Sequence, residues 1–99
     1  MHYHIVQKVD VVDMNNEIIS EVFFEHGDFT TTPLSIGTTI IMYPLGLKGF
    51  EVVYDRRFNN PSKYKVEEIE INLMQEPTVT RVFLEPVKLI LGQHDIGEM

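Results

Sequence analysis

Three groups of residues in this chain have types and spacings that chemistry can use. His2 and His4 flank Tyr3, and alternate residues of a strand place two imidazoles on one face, a spacing open to zinc or to a pair that activates a nucleophile. A zinc site needs a third ligand, and His26 is expected on the opposite face of the same hairpin. The two histidines are therefore read as solvent-facing residues near a chain end, and no metal or cofactor is expected. His94-Asp95 has the same status. Glu67, Glu68 and Glu70 form the second group, paired carboxylates suited in principle to general acid and base work. Strand neighbours alternate faces, so only Glu68 and Glu70 can cooperate. Such work also needs a pocket that shifts pKa, and a small barrel fills its interior with side chains.

The third group is Arg56-Arg57 between Tyr54 and Phe58, the arginine-with-aromatic composition found at interaction hot spots. Arg56 shares strand parity with Tyr54 and Phe58, whereas Arg57 points away. Nothing else supplies a catalytic motif. Ser20, Ser35 and Ser62 lack a nucleophile context, and Gly46-Leu47-Lys48-Gly49 is too short for a phosphate loop and precedes no helix. No catalytic residue is assigned, and an enzyme is not expected.

The elements that must position these groups are strands. In Tyr64 to Leu73 the apolar positions change phase: Tyr64 and Val66 share one parity, Ile69, Ile71 and Leu73 the other. Keeping all five on one buried face requires an extra residue at Glu67-Glu68, a β-bulge that bends the strand. Asn15-Asn16 reads as a two-residue hairpin tip between Met14 and Glu17. That register pairs Val11 with Ser20, Val9 with Val22, Gln7 with Phe24 and Ile5 with His26 on one face. The other face pairs Val12 with Ile19, Asp10 with Glu21, Lys8 with Phe23 and Val6 with Glu25. Residues 26–37 and 44–49 read as connections, and 50–58 as a strand. Gln75-Glu76-Pro77-Thr78 turns the chain into a last strand that Pro86 interrupts. Six strands with no helical periodicity predict an all-β fold, a small antiparallel SH3-like barrel or β-roll, with an OB-like barrel as the alternative.

Length and charge bound the function classes. Ninety-nine residues with no cysteine exclude disulfides and thiolate ligands and fit a reducing cytoplasm. Residues 1–92 are read as one domain and 93–99 as a flexible tail. No signal-peptide pattern or membrane span is visible in the sequence. The net charge of −7 divides into +3 over residues 48–65 and −10 elsewhere, so direct nucleic-acid binding is disfavoured and a partner protein is expected. Lys48, Arg56, Arg57, Lys63 and Lys65 with Glu67, Glu68 and Glu70 are the partner-binding candidates. Leu89, Ile90 and Leu91 are too apolar to lie in water, and they are read as packing on the same barrel or on a second subunit in a homodimer. The leading expectation is a non-catalytic protein that binds another protein stoichiometrically. The alternatives are an acidic inhibitor that imitates nucleic acid, of the kind phages and mobile elements encode against host-defence enzymes, and a small-ligand module built on the aromatic face. Affinity of the mimic for a basic target would fall steeply with salt.

Overall fold

Alternating apolar and polar residues, together with β-branched and aromatic side chains, produce strands along the whole chain. The computed structural model describes residues 2–49, 51–57 and 60–93. Among these it holds seven strands and no helix: β1 (His2–Val12), β2 (Ile18–Thr30), β3 (Thr39–Met42), β4 (Leu45–Lys48), β5 (Glu51–Tyr54), β6 (Ser62–Asn72) and β7 (Val79–Ile90). The all-β expectation holds. The count exceeds the expected six because Leu45 to Lys48, read as loop between Pro44 and Gly49, pairs with β5 as a short hairpin. No helix among the described residues is long and apolar enough to cross a membrane. Phe50, Phe58, Asn59 and residues 94–99, which include His94-Asp95 and most of the expected tail, lie outside the described residues.

Five strands form one sheet in the order β2-β1-β7-β6-β3, and β4-β5 forms a second, two-stranded sheet. The expected antiparallel barrel is corrected on two points. β1 and β7 run parallel, which local turns do not encode and which requires the intervening chain as a crossover. The large sheet also does not close, since β2 and β3 remain at its two edges.

Bends come from bulges, four of which break the ladders. In β6, Val66 faces Leu84 and Glu68 faces Phe83, so Glu67 is the inserted residue, as the change of parity requires. The buried face runs out sooner than expected: Tyr64 and Val66 are buried and Ile69 partly so, but Ile71 is 58% exposed and Leu73 82% exposed. In β7, Gln7 faces Leu84 and Val9 faces Val87, so Glu85 and Pro86 lie in the irregularity. Pro86 does not end the strand, because a bulge is where an interior strand tolerates the missing N–H.

The β1-β2 register over Val6 to Val11 is the one expected, including Asp10 opposite Glu21. Lys8 relieves that like-charge pair, with its ammonium 3.8 Å from each carboxylate. The turn differs. The Asp13 carbonyl accepts from the Asn16 N–H, the Glu17 carbonyl accepts from the Asp13 N–H, and Asn16 alone takes the left-handed conformation (φ 65°). This is a three-residue loop of Met14, Asn15 and Asn16, braced by the Asp13 carboxylate, which accepts from the Asn15 and Glu17 N–H groups. The longer loop shifts the pairing by one, so Val12 faces Ile18, and a bulge at Ile19 restores the expected phase. A second bulge at His26 shifts it again, pairing Ile5 with Gly27 rather than with His26.

Two apolar clusters cover one side of the sheet. Tyr3, Ile5, Tyr64, Val66, Val82 and Leu84 form one, while Val9, Val11, Leu45, Leu47 and Leu89 form the other, where the β4-β5 hairpin lies against the sheet. Val87 packs against both. Leu89 is buried, Ile90 and Leu91 are half-buried, and the Leu91 N–H donates to the Val12 carbonyl at 2.9 Å. These three apolar residues thus find a covering surface within their own chain.

Candidate functional site

The β4-β5 hairpin closes on a bond from the Asp55 N–H to the Pro44 carbonyl, 2.7 Å, which sets the direction of the residues after Tyr54. Strand alternation then sends Tyr54 and Arg56 to one side, as their parity implies, and Arg57 to the other. Arg57 is neutralised at once: its Nε donates to Asp55 Oδ1 at 3.0 Å and its Nη2 to Oδ2 at 2.9 Å. The same bonds hold the Asp55 carboxyl below the usual carboxylate range. Arg56 instead lies over two rings, 4.9 Å from the centroid of Tyr43 and 5.6 Å from that of Tyr54. Among the described residues, no carboxylate sits within ion-pairing distance of Arg56.

These rings wall a cavity of about 620 Å³. His26 and Phe29 come from β2, Ile41 and Met42 from β3, Tyr43 from just beyond it, and Tyr54 and Arg56 from the hairpin. Both edge strands of the large sheet contribute, so the cavity lies along the seam where a closed barrel would have joined them. Its lining is mostly apolar and aromatic, the composition of a small-ligand site. Phe24 meets His26 and Tyr54 edge-on, with centroids 4.9 and 5.3 Å apart, and supports the wall from behind.

A buried polar relay fixes the His26 ring. Gln7, with no exposed surface, donates from Nε2 to the Glu85 carbonyl at 2.7 Å, a carbonyl that lies in the β7 bulge. Its Oε1 must then be the acceptor facing His26 Nε2 at 2.9 Å, so that nitrogen carries the proton. Burial lowers the His26 pKa to about 4, leaving Nδ1 bare at neutral pH to accept from the Tyr54 hydroxyl at 2.8 Å. Burial also raises the Tyr54 pKa, which keeps that hydroxyl a donor. Both imidazole nitrogens are engaged, and the ring serves as a rigid wall.

His4 faces the other side of the sheet, and its pKa is shifted in the opposite direction. Its Nδ1 lies 2.9 Å from Asp28 Oδ1 and its Nε2 lies 3.1 Å from Glu25 Oε1. Carboxylates only accept, so both nitrogens donate together only in the protonated ring, and these bonds raise the His4 pKa, first that to Asp28 and then that to Glu25. His2 is 3.8 Å from Asp28. Among the described residues, no three His, Asp or Glu side chains are placed to hold a metal ion.

The two histidines give opposed pH dependences. His26 titrates near 6.5 unfolded and near 4 folded, so the unfolded chain binds the extra proton between those values. Its neutral-state contribution, on the order of 3 kcal/mol, is complete above pH 6.5 and is lost as pH falls toward 4. The His4 contribution is complete below pH 6.5 and is lost as pH rises through its higher folded pKa. An NMR titration of the imidazole protons should place the His26 midpoint near pH 4 and that of His4 above 6.5. Coincident midpoints would contradict the relay.

The other candidates do not gather at one place. Lys48 ends β4 opposite Glu51, and Lys63 and Lys65 are exposed on β6 beside β3. Glu68 and Glu70 share the outward face, where Glu70 lies 3.6 Å from Arg81, and Glu67 stands out at the bulge. Of the partner-binding set, Arg56 alone reaches the cavity. His26, Phe29 and Tyr43 escape a sequence reading because tertiary structure brings them there, although Gly27, at φ 118°, marks the bulge that turns His26 inward. No family model, no curated protein and no solved structure matches this chain.

Proposed function

We propose that this chain is a non-catalytic binding protein whose site is the seam cavity, and that the cavity takes an aromatic or branched apolar group carrying a carboxylate. The observation that carries this reading is Arg56, an exposed cation stacked on the cavity rings and free of any carboxylate partner among the described residues. Rings and aliphatic side chains would bury the apolar body at about 25 cal/mol per Å² removed from water. The guanidinium would meet the carboxylate in a charge-assisted bond, and Tyr43 and Tyr54 already order it for that contact. The fixed hydrogen bonds of His26 leave it no free nitrogen for proton transfer, which supports binding over catalysis.

The carboxylate could belong to a free small molecule or to the C-terminal residue of a protein partner. Calorimetric titration with aryl acetates tests the first source, and titration with a peptide ending in Phe, acid against amide, tests the second. One of the acids should bind and shift the ring resonances of Tyr43 and Tyr54, and Arg56→Met should weaken it about tenfold. Arg57→Met should leave affinity unchanged, because Asp55 already neutralises that cation. Equal affinity for acid and amide, or no response from either source, would overturn the proposal.

A further inference from the structure

Among the described residues no strand pairs with the outer edge of β2 or of β3, and these two edges of the large sheet are unlike. β3 is four residues long and ends beside Pro44, two common ways of making an edge unable to accept another strand. β2 is thirteen residues long and contains no proline, lysine or arginine. Between its bulges, residues 20–25 run in unbroken register with β1, a length typical of a complete strand. On the outward face of this stretch stand Glu21, Phe23 and Glu25, alternating as charge, ring, charge, and Phe23 is 61% exposed. Lys8 is shared between Glu21 and Asp10, and His4 between Glu25 and Asp28, so each end of the stretch keeps a net negative charge. Phe23 meets Phe83 edge-on at 6.4 Å, so its ring is held in place rather than loose.

We infer that the free edge of β2 docks an extended basic segment of another protein, which adds to the sheet as a sixth strand. Directly opposed residues of paired strands have Cβ atoms about 4.5–5.5 Å apart, so the occupant must complement β2 position by position. A basic-x-apolar-x-basic pattern does so: each cation faces Glu21 or Glu25, and the apolar residue between them packs on Phe23. A second copy of this chain fits poorly. Antiparallel self-pairing centred on Phe23 would set Glu21 against Glu25 of the copy, and like charges directly opposed destabilise a ladder. The site adjoins the seam cavity, which takes His26 and Phe29 from the same strand, but it uses the outward side chains of residues 20–25 and not Arg56.

A capped peptide of sequence Lys-Thr-Val-Thr-Lys, flanked by glycines and titrated into the full chain, tests this. The basic peptide should shift the amide resonances of residues 20–25, and its glutamate counterpart should not. Backbone N-methylation at alternate residues blocks one edge of a strand, so one of the two methylated sets should lose about tenfold or more in affinity while the other binds normally. Glu21→Lys with Glu25→Lys should reverse the preference toward the acidic peptide, and Phe23→Thr, which keeps β propensity, should weaken binding of the basic one several-fold. Arg56→Met should leave all of this unchanged, which separates failure here from failure at the cavity. Equal binding by both methylated sets would reduce the effect to plain charge attraction and overturn the inference. Sedimentation showing that the free chain dimerises through β2 would overturn it as well.

Discussion

Gln7→Leu should destabilise the protein by about 2–4 kcal/mol, more than most substitutions that keep side-chain size. The expectation rests on what is left behind. Gln7 is fully buried and answers two groups, the Nε2–H of His26 and the carbonyl of Glu85, which lies in the β7 irregularity with no ladder pair to β1. Leucine fills the space and answers neither, and each such orphan costs about 1–3 kcal/mol, toward the lower end for Glu85, which is only partly buried. Urea denaturation with an unchanged m-value would show the loss as one of stability rather than of compactness. Gln7→Glu gives a second reading of the same relay. It keeps the acceptor for Nε2–H but places a charge beside the ring, so the His26 midpoint should rise from about 4. A Gln7→Leu cost below about 1 kcal/mol would mean that neither group depends on the amide.

The same relay shows how far the sequence could be read. The change of parity at Glu67 was legible because Tyr64 and Val66 on one side of it and Ile69 on the other report their faces directly, and the structure puts the inserted residue there, although Ile71 and Leu73 beyond it are exposed. The β1-β2 register was legible for a less direct reason: the loop is one residue longer than expected, and the bulge at Ile19 cancels the difference. The bulge at His26 was not legible, because a buried polar side chain leaves no mark in an apolar alternation. Gly27 was the available sign, since a glycine inside a strand pattern often marks a bulge. The parallel pairing of β1 with β7 has no local signal at all. A bulge implies a bend, and four bulges do break the ladders of this sheet, but bending sets curvature without joining the edges. The seam left open is where the cavity lies, so the candidate site sits where the structure departs from a closed barrel. Of that site, Arg56 and Tyr54 could be paired by parity, while Tyr43, Phe29 and His26 arrive from elements whose contacts only the fold decides.

Leu47→Ala is expected to cost about 2–5 kcal/mol and to act on the site as well as on stability. The β4-β5 hairpin shares no ladder with the large sheet, and an isolated two-stranded hairpin is marginal in water. Side chains must therefore hold it, chiefly Leu45 and the fully buried Leu47 against Val9, Val11 and Leu89, with Val52 and Tyr54 beside them. This hairpin carries Tyr54, whose hydroxyl closes the relay to His26, and it aims Arg56 across Tyr43. Emptying the Leu47 position should free the hairpin before the sheet unfolds, a local opening with its own free energy. Hydrogen exchange of the variant should show β4 and β5 amides losing protection ahead of those in β1 and β7, and the ring-current shifts of His26 and Tyr54 should move toward random-coil values. Leu47→Met, which conserves volume, should cost less than about 1.5 kcal/mol and leave both signals in place. If the hairpin amides of Leu47→Ala exchanged only through global unfolding, the hairpin would be part of one cooperative unit, and the cavity would be as stable as the sheet itself.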